Sequence, residues 1–320
     1  MSEEKPLDAT FFAFKKRDRS FVLTSAAIAY YLVLTLLTVV FIALTWNAWA
    51  AIIAWYVSVF GTMSAGGAPS APDPQIFLAI APYSLASLPI SLLVFAMFEA
   101  ACLRWMVRGE AGGGLFGLKL DGDTWRVFAV YWLWVALFVL ALILLGVCYA
   151  LLIALGNIGG VARIAAMLMG ALAPLGFIAL LLWAAVSFAP AAATSVGRQK
   201  LTFVSARKVS GPRYWPLFTA YFLVIVGYVV IATIVSAIFQ IPLNTAMAPI
   251  MAAAIGGAES AQVMTLVRET FLTPTMIAIL VANLAFSFVL ATVYYVAMFG
   301  VNARAFEAAV EAGDVERAPQ

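Results

Sequence analysis

Long apolar stretches alternate with short basic clusters along the whole chain, and each stretch is too long for a strand or for the buried face of a surface helix. About 20 apolar residues in a helix cross a hydrocarbon core of roughly 30 Å, so the pattern predicts membrane spans. The first begins after Ser20 and reaches about Thr45, but apolar character persists through Trp46, Trp49 and Trp55 to Phe60. Tryptophans collect at membrane interfaces, so this surplus predicts a helix that lies along the far interface or projects beyond it. A Gly-, Pro- and Ser-rich loop, 61–74, leads to the second span, 76–106, where Pro82 and Pro89 predict a kink or a broken start. The third and fourth spans, 125–155 and 161–189, flank a tight turn of Gly156, Asn157, Gly159 and Gly160. The fifth covers 214–240 and is followed by a long connection, 241–273, part of which is expected to lie flat on the membrane surface. Thr273 and Pro274 open the sixth span with a capping hydroxyl and a proline at the first helical position. It ends near Gly300, and a short charged helix, 301–312, trails into a disordered end.

The charges orient these spans. Sixteen of the eighteen lysines and arginines fall in four clusters, Lys5 to Arg19, Arg104 to Arg126, Arg198 to Arg213 and Arg304 to Arg317; Arg163 and Arg268 are the exceptions. By the positive-inside rule, the clusters and both termini face the cytoplasm. The expected fold is therefore all-α, a polytopic protein with six transmembrane helices arranged as three hairpins with basic interfacial elbows. Residues 1–20 form a cytoplasmic amphipathic segment, 21–300 the six-span domain, and 301–320 a cytoplasmic tail. Leu7, Phe11 and Phe14 share one helical face, which either enters the acyl boundary or packs on the cytoplasmic ends of the protein itself. The first apolar run is much longer than a signal-peptide core, so Phe21 onward is expected to remain as an anchor.

Composition agrees with that topology: 65% hydrophobic residues, 10% charged residues and a mean hydropathy of +1.04 leave too little polar surface for a water-soluble globule. The net charge of +3 gains meaning from its placement. Basic groups beside the cytoplasmic leaflet meet anionic lipid at about 1 kcal/mol each, which points to headgroups as partners and not to nucleic acid. The headgroup candidates are Lys15, Lys16, Arg17 and Arg19, then Arg104 and Arg108, then Arg198, Lys200, Arg207, Lys208 and Arg213. Trp125 and Trp215 are the interfacial aromatics that follow the two internal clusters.

Chemistry is sparsely represented. The chain has no histidine, which excludes a histidine base, triad or metal site, and no cofactor is implied. Cys102 and Cys148 have no paired spacing and read as packing residues. The glycine run from Arg108 to Gly114 lacks the Gly-Lys-Ser/Thr of a phosphate loop and the strand that precedes one, so it reads as a flexible loop. Glu99 is the carboxylate inside a span; it either pairs with an arginine or lysine of an elbow or serves a proton or headgroup role. Asn283 and Ser287, with Thr292, either line a polar seam or bond to helix backbone and glue helices together.

A shift of 90 residues brings Phe98 onto Phe188, Trp125 onto Trp215, Phe128 onto Phe218 and Tyr131 onto Tyr221. That register suggests a duplicated unit: a descending span, a basic elbow, an aromatic entry and an ascending span.

The stretches Phe188 to Arg198, Leu201, Ser205 to Gly211 and Tyr214 to Leu217, with the earlier Leu103 to Glu110, resemble the elbows of the glycerophosphoryl diester phosphodiesterase membrane-domain family and related multi-span bacterial inner-membrane proteins. In phosphodiesterases that carry this domain, catalysis belongs to a separate soluble domain with histidine and acidic metal ligands. The resemblance thus implies a membrane module without the enzyme. The expected function is a non-enzymatic protein of the bacterial inner membrane whose cytoplasmic elbows contact lipid headgroups, accessory to envelope or lipid homeostasis. The alternatives are a small-molecule or lipid permease, and a structural subunit that pairs with another membrane protein.

Overall fold

The computed structural model describes residues 9–15, 20–64, 67–68, 71–110, 114, 117–258 and 260–319. The chain is 86% helical and without strands among these residues. A short turn of helix, α1 (Phe12–Lys15), precedes α2 (Ser20–Leu44) and α3 (Trp46–Ser64), which meet at Thr45. There the Thr45 hydroxyl donates to the Phe41 carbonyl at 2.6 Å. Next come α4 (Pro74–Leu103), continued by a π-helical turn (Arg104–Arg108), α5 (Gly122–Gly156), α6 (Gly160–Phe188), and the short α7 (Ala191–Gly197) and α8 (Ala206–Ser210). The chain closes with α9 (Tyr214–Ile255), α10 (Ser260–Phe271) and α11 (Pro274–Glu311). Six helical stretches among the described residues are long and apolar enough to cross a membrane, so this is a multi-pass membrane protein. In four of them only 6% of the most apolar window is buried, which leaves side chains such as Leu140, Leu172, Ile231 and Val289 for lipid to cover.

Several boundaries depart from the expectation. Helix α4 is one element through Pro82 and Pro89, so of the two outcomes expected there the broken start does not occur. The helix of the fifth span does not stop at Gln240: α9 continues through Pro242 and Pro249 to Ile255, 42 residues or about 63 Å. Its extension is rich in good helix formers such as Ala and Met, which carry the helix past both prolines as far as Gly256 and Gly257. There Ala258 N–H bonds to Ala253 O and Gly257 N–H to Ala254 O, a glycine-terminated helix end with Gly257 at φ 78°. The helix of the sixth span likewise continues past Gly300, so the short charged helix expected at 301–312 is the end of one helix, α11, that reaches Glu311. Thr273 caps it as expected, its hydroxyl accepting from Met276 N–H at 3.3 Å.

The chain forms two units. One comprises Met1–Ala29, Phe95–Val224 and Val296–Gln320, the other Tyr30–Val94 and Ile225–Tyr295. The second holds α3 and α10. Val263 on the apolar face of α10 is buried against Ile250 and Ala254 of α9, so that amphipathic helix packs on its neighbour. In the same unit Tyr31 stacks on Phe288 with ring centroids 4.3 Å apart, and Tyr228 meets Tyr294 at 4.5 Å.

The first unit contains both internal basic clusters and most of the fully buried side chains, Phe98, Leu103, Met106, Val127, Val196 and Phe306 among them. Two glycines there exist for close approach. A Cβ on Gly197 would lie 2.3 Å from the Phe306 ring, and one on Gly300 would lie 2.8 Å from Ala13 Cβ. Ala9, Thr10 and Ala13 are buried and Phe12 half-buried while Phe11 and Phe14 stay exposed, so the N-terminal segment docks through its small residues and turns Phe11 and Phe14 outward. Leu7 lies outside the described residues. The C-terminal end, expected to be disordered, folds back instead. Gly313 at φ 77° closes α11, Val315 is buried, and Ala318 N–H donates to Gly197 O at 3.2 Å.

Gly197→Ala forces a methyl into the Phe306 ring, and a destabilisation of about 1–3 kcal/mol is expected from overpacking. Thermal unfolding in detergent measures it, and Gly211→Ala, where nothing stands within 4 Å, is the matched control.

Candidate functional site: one neutralised and one exposed basic elbow

The first elbow begins where α4 ends in its π-helical turn, which places Arg104 and Arg108 on the inside of the bend. Asp121 caps α5 by accepting from the N–H groups of Asp123 and Thr124, each at 3.1 Å. Its other oxygen meets Arg104 Nη1 at 2.6 Å. Asp123, in the first turn of α5, faces the positive end of the helix dipole and holds Arg108 at 2.5 Å and Arg126 at 2.6 Å. Glu110 adds a contact to Arg108 at 2.9 Å. The Arg104, Arg108 and Asp123 side chains are only 6–8% exposed, so this is a buried, mutually neutralised network. Arg108 Nη1 also donates to Val196 O at 3.3 Å, which ties the first elbow to α7.

The second elbow is built differently. Helix α7 is wholly buried, and Phe203, Ala206 and Val209 turn inward at helical spacing; Phe203 stacks on Phe188 at 5.1 Å. Ser210 donates its hydroxyl to Ser187 O at 2.6 Å, and Ser195 Oγ accepts from Thr202 N–H at 3.1 Å. With the inner face thus filled by apolar and small polar groups, the charged side chains point outward. Lys200, Arg207 and Lys208 are exposed, together with Leu201, Val204 and Trp215, the last 71% accessible. The sequence contains no Asp or Glu between Asp123 and Glu259, and among the described residues none forms an ion pair with these three cations. Arg207 lies over the Trp183 ring at 5.4 Å.

The remaining sequence candidates have other positions. Arg198 is half-buried, and Arg213 is held by Asp314 at 2.9 Å and by the Ala308 carbonyl at 3.0 Å. Lys15 is exposed, whereas Lys16, Arg17 and Arg19 lie outside the described residues. Trp125 is exposed at the start of α5. Glu99 is buried and accepts a hydrogen bond from Tyr131, a tyrosine and not a basic residue of an elbow. Asn283 is half-buried and Ser287 exposed on α11.

Sequence reasoning passed over Asp121, Asp123 and Asn302, and read Tyr131 only as part of the 90-residue register. The two aspartates carried a readable signal, because an Asp-x-Asp-Thr run directly before an apolar helix is a capping pattern. Nothing in the sequence pointed to the bond of Tyr131 to Glu99, or to Asn302, which is bonded by the Tyr221 hydroxyl.

No family model, no curated protein and no solved structure matches the chain.

Removing Asp123 leaves Arg108 and Arg126 without their shared partner. Asp123→Ala is expected to cost about 3–5 kcal/mol, as for a buried pair that loses one member, read as a lowered midpoint of unfolding.

Proposed function

We propose that this is a non-enzymatic membrane protein whose second elbow engages anionic lipid headgroups. The observation that carries the reading is the contrast between the elbows. In the first, arginines are matched by aspartates; in the second, Lys200, Arg207 and Lys208 stand exposed beside Leu201, Val204 and Trp215 in an acid-free stretch. A basic surface with apolar and tryptophan side chains interleaved suits the headgroup layer, where the cations meet phosphate and the apolar groups reach the acyl boundary. At about 1 kcal/mol per cation, three of them favour anionic over zwitterionic lipid by roughly two orders of magnitude at low salt.

With the basic clusters on the cytoplasmic side, both termini are cytoplasmic and the protein belongs to a bacterial inner membrane, accessory to envelope or lipid homeostasis. The resemblance of both elbows to the phosphodiesterase membrane domain favours the same role. The duplication gains support from Tyr131 and Tyr221, which follow Trp125 and Trp215 at the same interval and each donate to a polar group on another helix, Glu99 and Asn302. Less supports a permease, since Glu99 is engaged by Tyr131 and Ser287 sits on an exposed helix surface.

The test is simultaneous Lys200→Glu, Arg207→Glu and Lys208→Glu. After reconstitution in mixed nanodiscs and purification, the ratio of retained phosphatidylglycerol to phosphatidylcholine should fall at least tenfold, and the wild-type ratio should decline with salt. An unchanged ratio in a folded variant contradicts the reading.

A further inference from the structure

Arg163 occupies an address that is unfavourable three times over. It departs from the positive-inside distribution of the chain, lying just past the connection between α5 and α6. It also stands in the first turn of α6, where the helix dipole already presents positive charge. That turn has no acidic residue, and its cap, Gly159, supplies no side chain to the free amides. Finally, Arg163 belongs to the stretch that contains no carboxylate, and among the described residues it forms no ion pair.

The same arginine lines a cleft of about 550 Å³ between α5 and α6. Its walls divide by chemistry. Arg163, Asn157 and the backbone at Gly159 gather at the turn, whereas Leu152, Ile153 and Met167 line the sides. Tyr149, further along α5, donates its hydroxyl to Gly170 O at 3.2 Å and ties the two helices together there. The volume falls within the range of small-molecule sites.

We infer that this cleft is a binding site for a phosphate-bearing amphiphile, with the phosphate at Arg163 and the apolar portion along Leu152, Ile153 and Met167. A phosphate at the turn offsets both the unpaired guanidinium and the uncapped helix end. Inorganic phosphate shares that polar chemistry but leaves the apolar walls uncovered, which favours a phospholipid as the source. The site is separate from the second elbow and does not depend on the orientation proposed above; only the leaflet that supplies the lipid does.

The experiment measures binding of short-chain phosphatidylglycerol to the full chain in neutral detergent by native mass spectrometry, with inorganic phosphate as competitor. Wild type, Arg163→Gln, Arg163→Glu, Met167→Trp and the triple elbow variant are compared. One bound lipid that survives the elbow substitutions, weakens at least tenfold in Arg163→Gln and Arg163→Glu, and is blocked by Met167→Trp supports the site. Persistence against millimolar phosphate identifies the lipid as the source, and displacement by phosphate identifies a free anion at the same arginine. Arg163 is exposed, so its variants are expected to keep the wild-type melting temperature. Equal binding by wild type and both Arg163 variants overturns the inference. Loss of binding only in the elbow variant also overturns it, while leaving the elbow reading intact.

Discussion

The pair formed by Arg108 and Asp123 is the contact on which the first unit turns. It joins the end of α4 to the start of α5, and through the Val196 carbonyl the same guanidinium reaches α7. Two ions taken from water are costly, and their attraction compensates only with tight geometry and further hydrogen bonds. Asp123 meets that demand by bridging Arg108 and Arg126 at the positive end of α5, while Asp121 combines the helix cap with the hold on Arg104. The loss of Asp123 would leave Arg108 with only the exposed Glu110 as an acidic partner among the described residues.

That arrangement gives the two elbows different roles even though they share a sequence theme. Positive charge in the first is consumed inside the fold. In the second the inward positions belong to Phe203, Ala206 and Val209, and the chain bends through Gln199, the residue other than glycine with a positive φ among those described. The C-terminal end supports this elbow from behind, through Asp314 on Arg213 and Ala318 on Gly197. Lys200, Arg207 and Lys208 are thereby left on a surface held firmly, with no acidic partner among the described residues.

Much of the fold was legible because apolar length is a strong signal. The starts of the third and sixth spans fall within a few residues of their predicted places, and the Thr273 cap is where its sequence put it. Helix ends were less legible. Where a span leaves the membrane does not determine where its helix stops, so α9 runs on through Ala- and Met-rich sequence, and α11 passes Gly300, which is a contact point for Ala13. The site was only half legible for a related reason. Positive-inside counting treats Arg108 and Lys208 alike, and the difference lies in aspartates that come close only after the elbow bends.

The central claim is that the second elbow lies against anionic headgroups. A photo-crosslinking amino acid placed at Val204, and in a separate protein at Leu120 of the first elbow, reads this directly in native membranes, since both side chains are exposed. The account predicts lipid adducts at Val204 enriched in anionic over zwitterionic phospholipid relative to those at Leu120. Equal adduct composition at the two positions, or adducts at Val204 to protein alone, would contradict it.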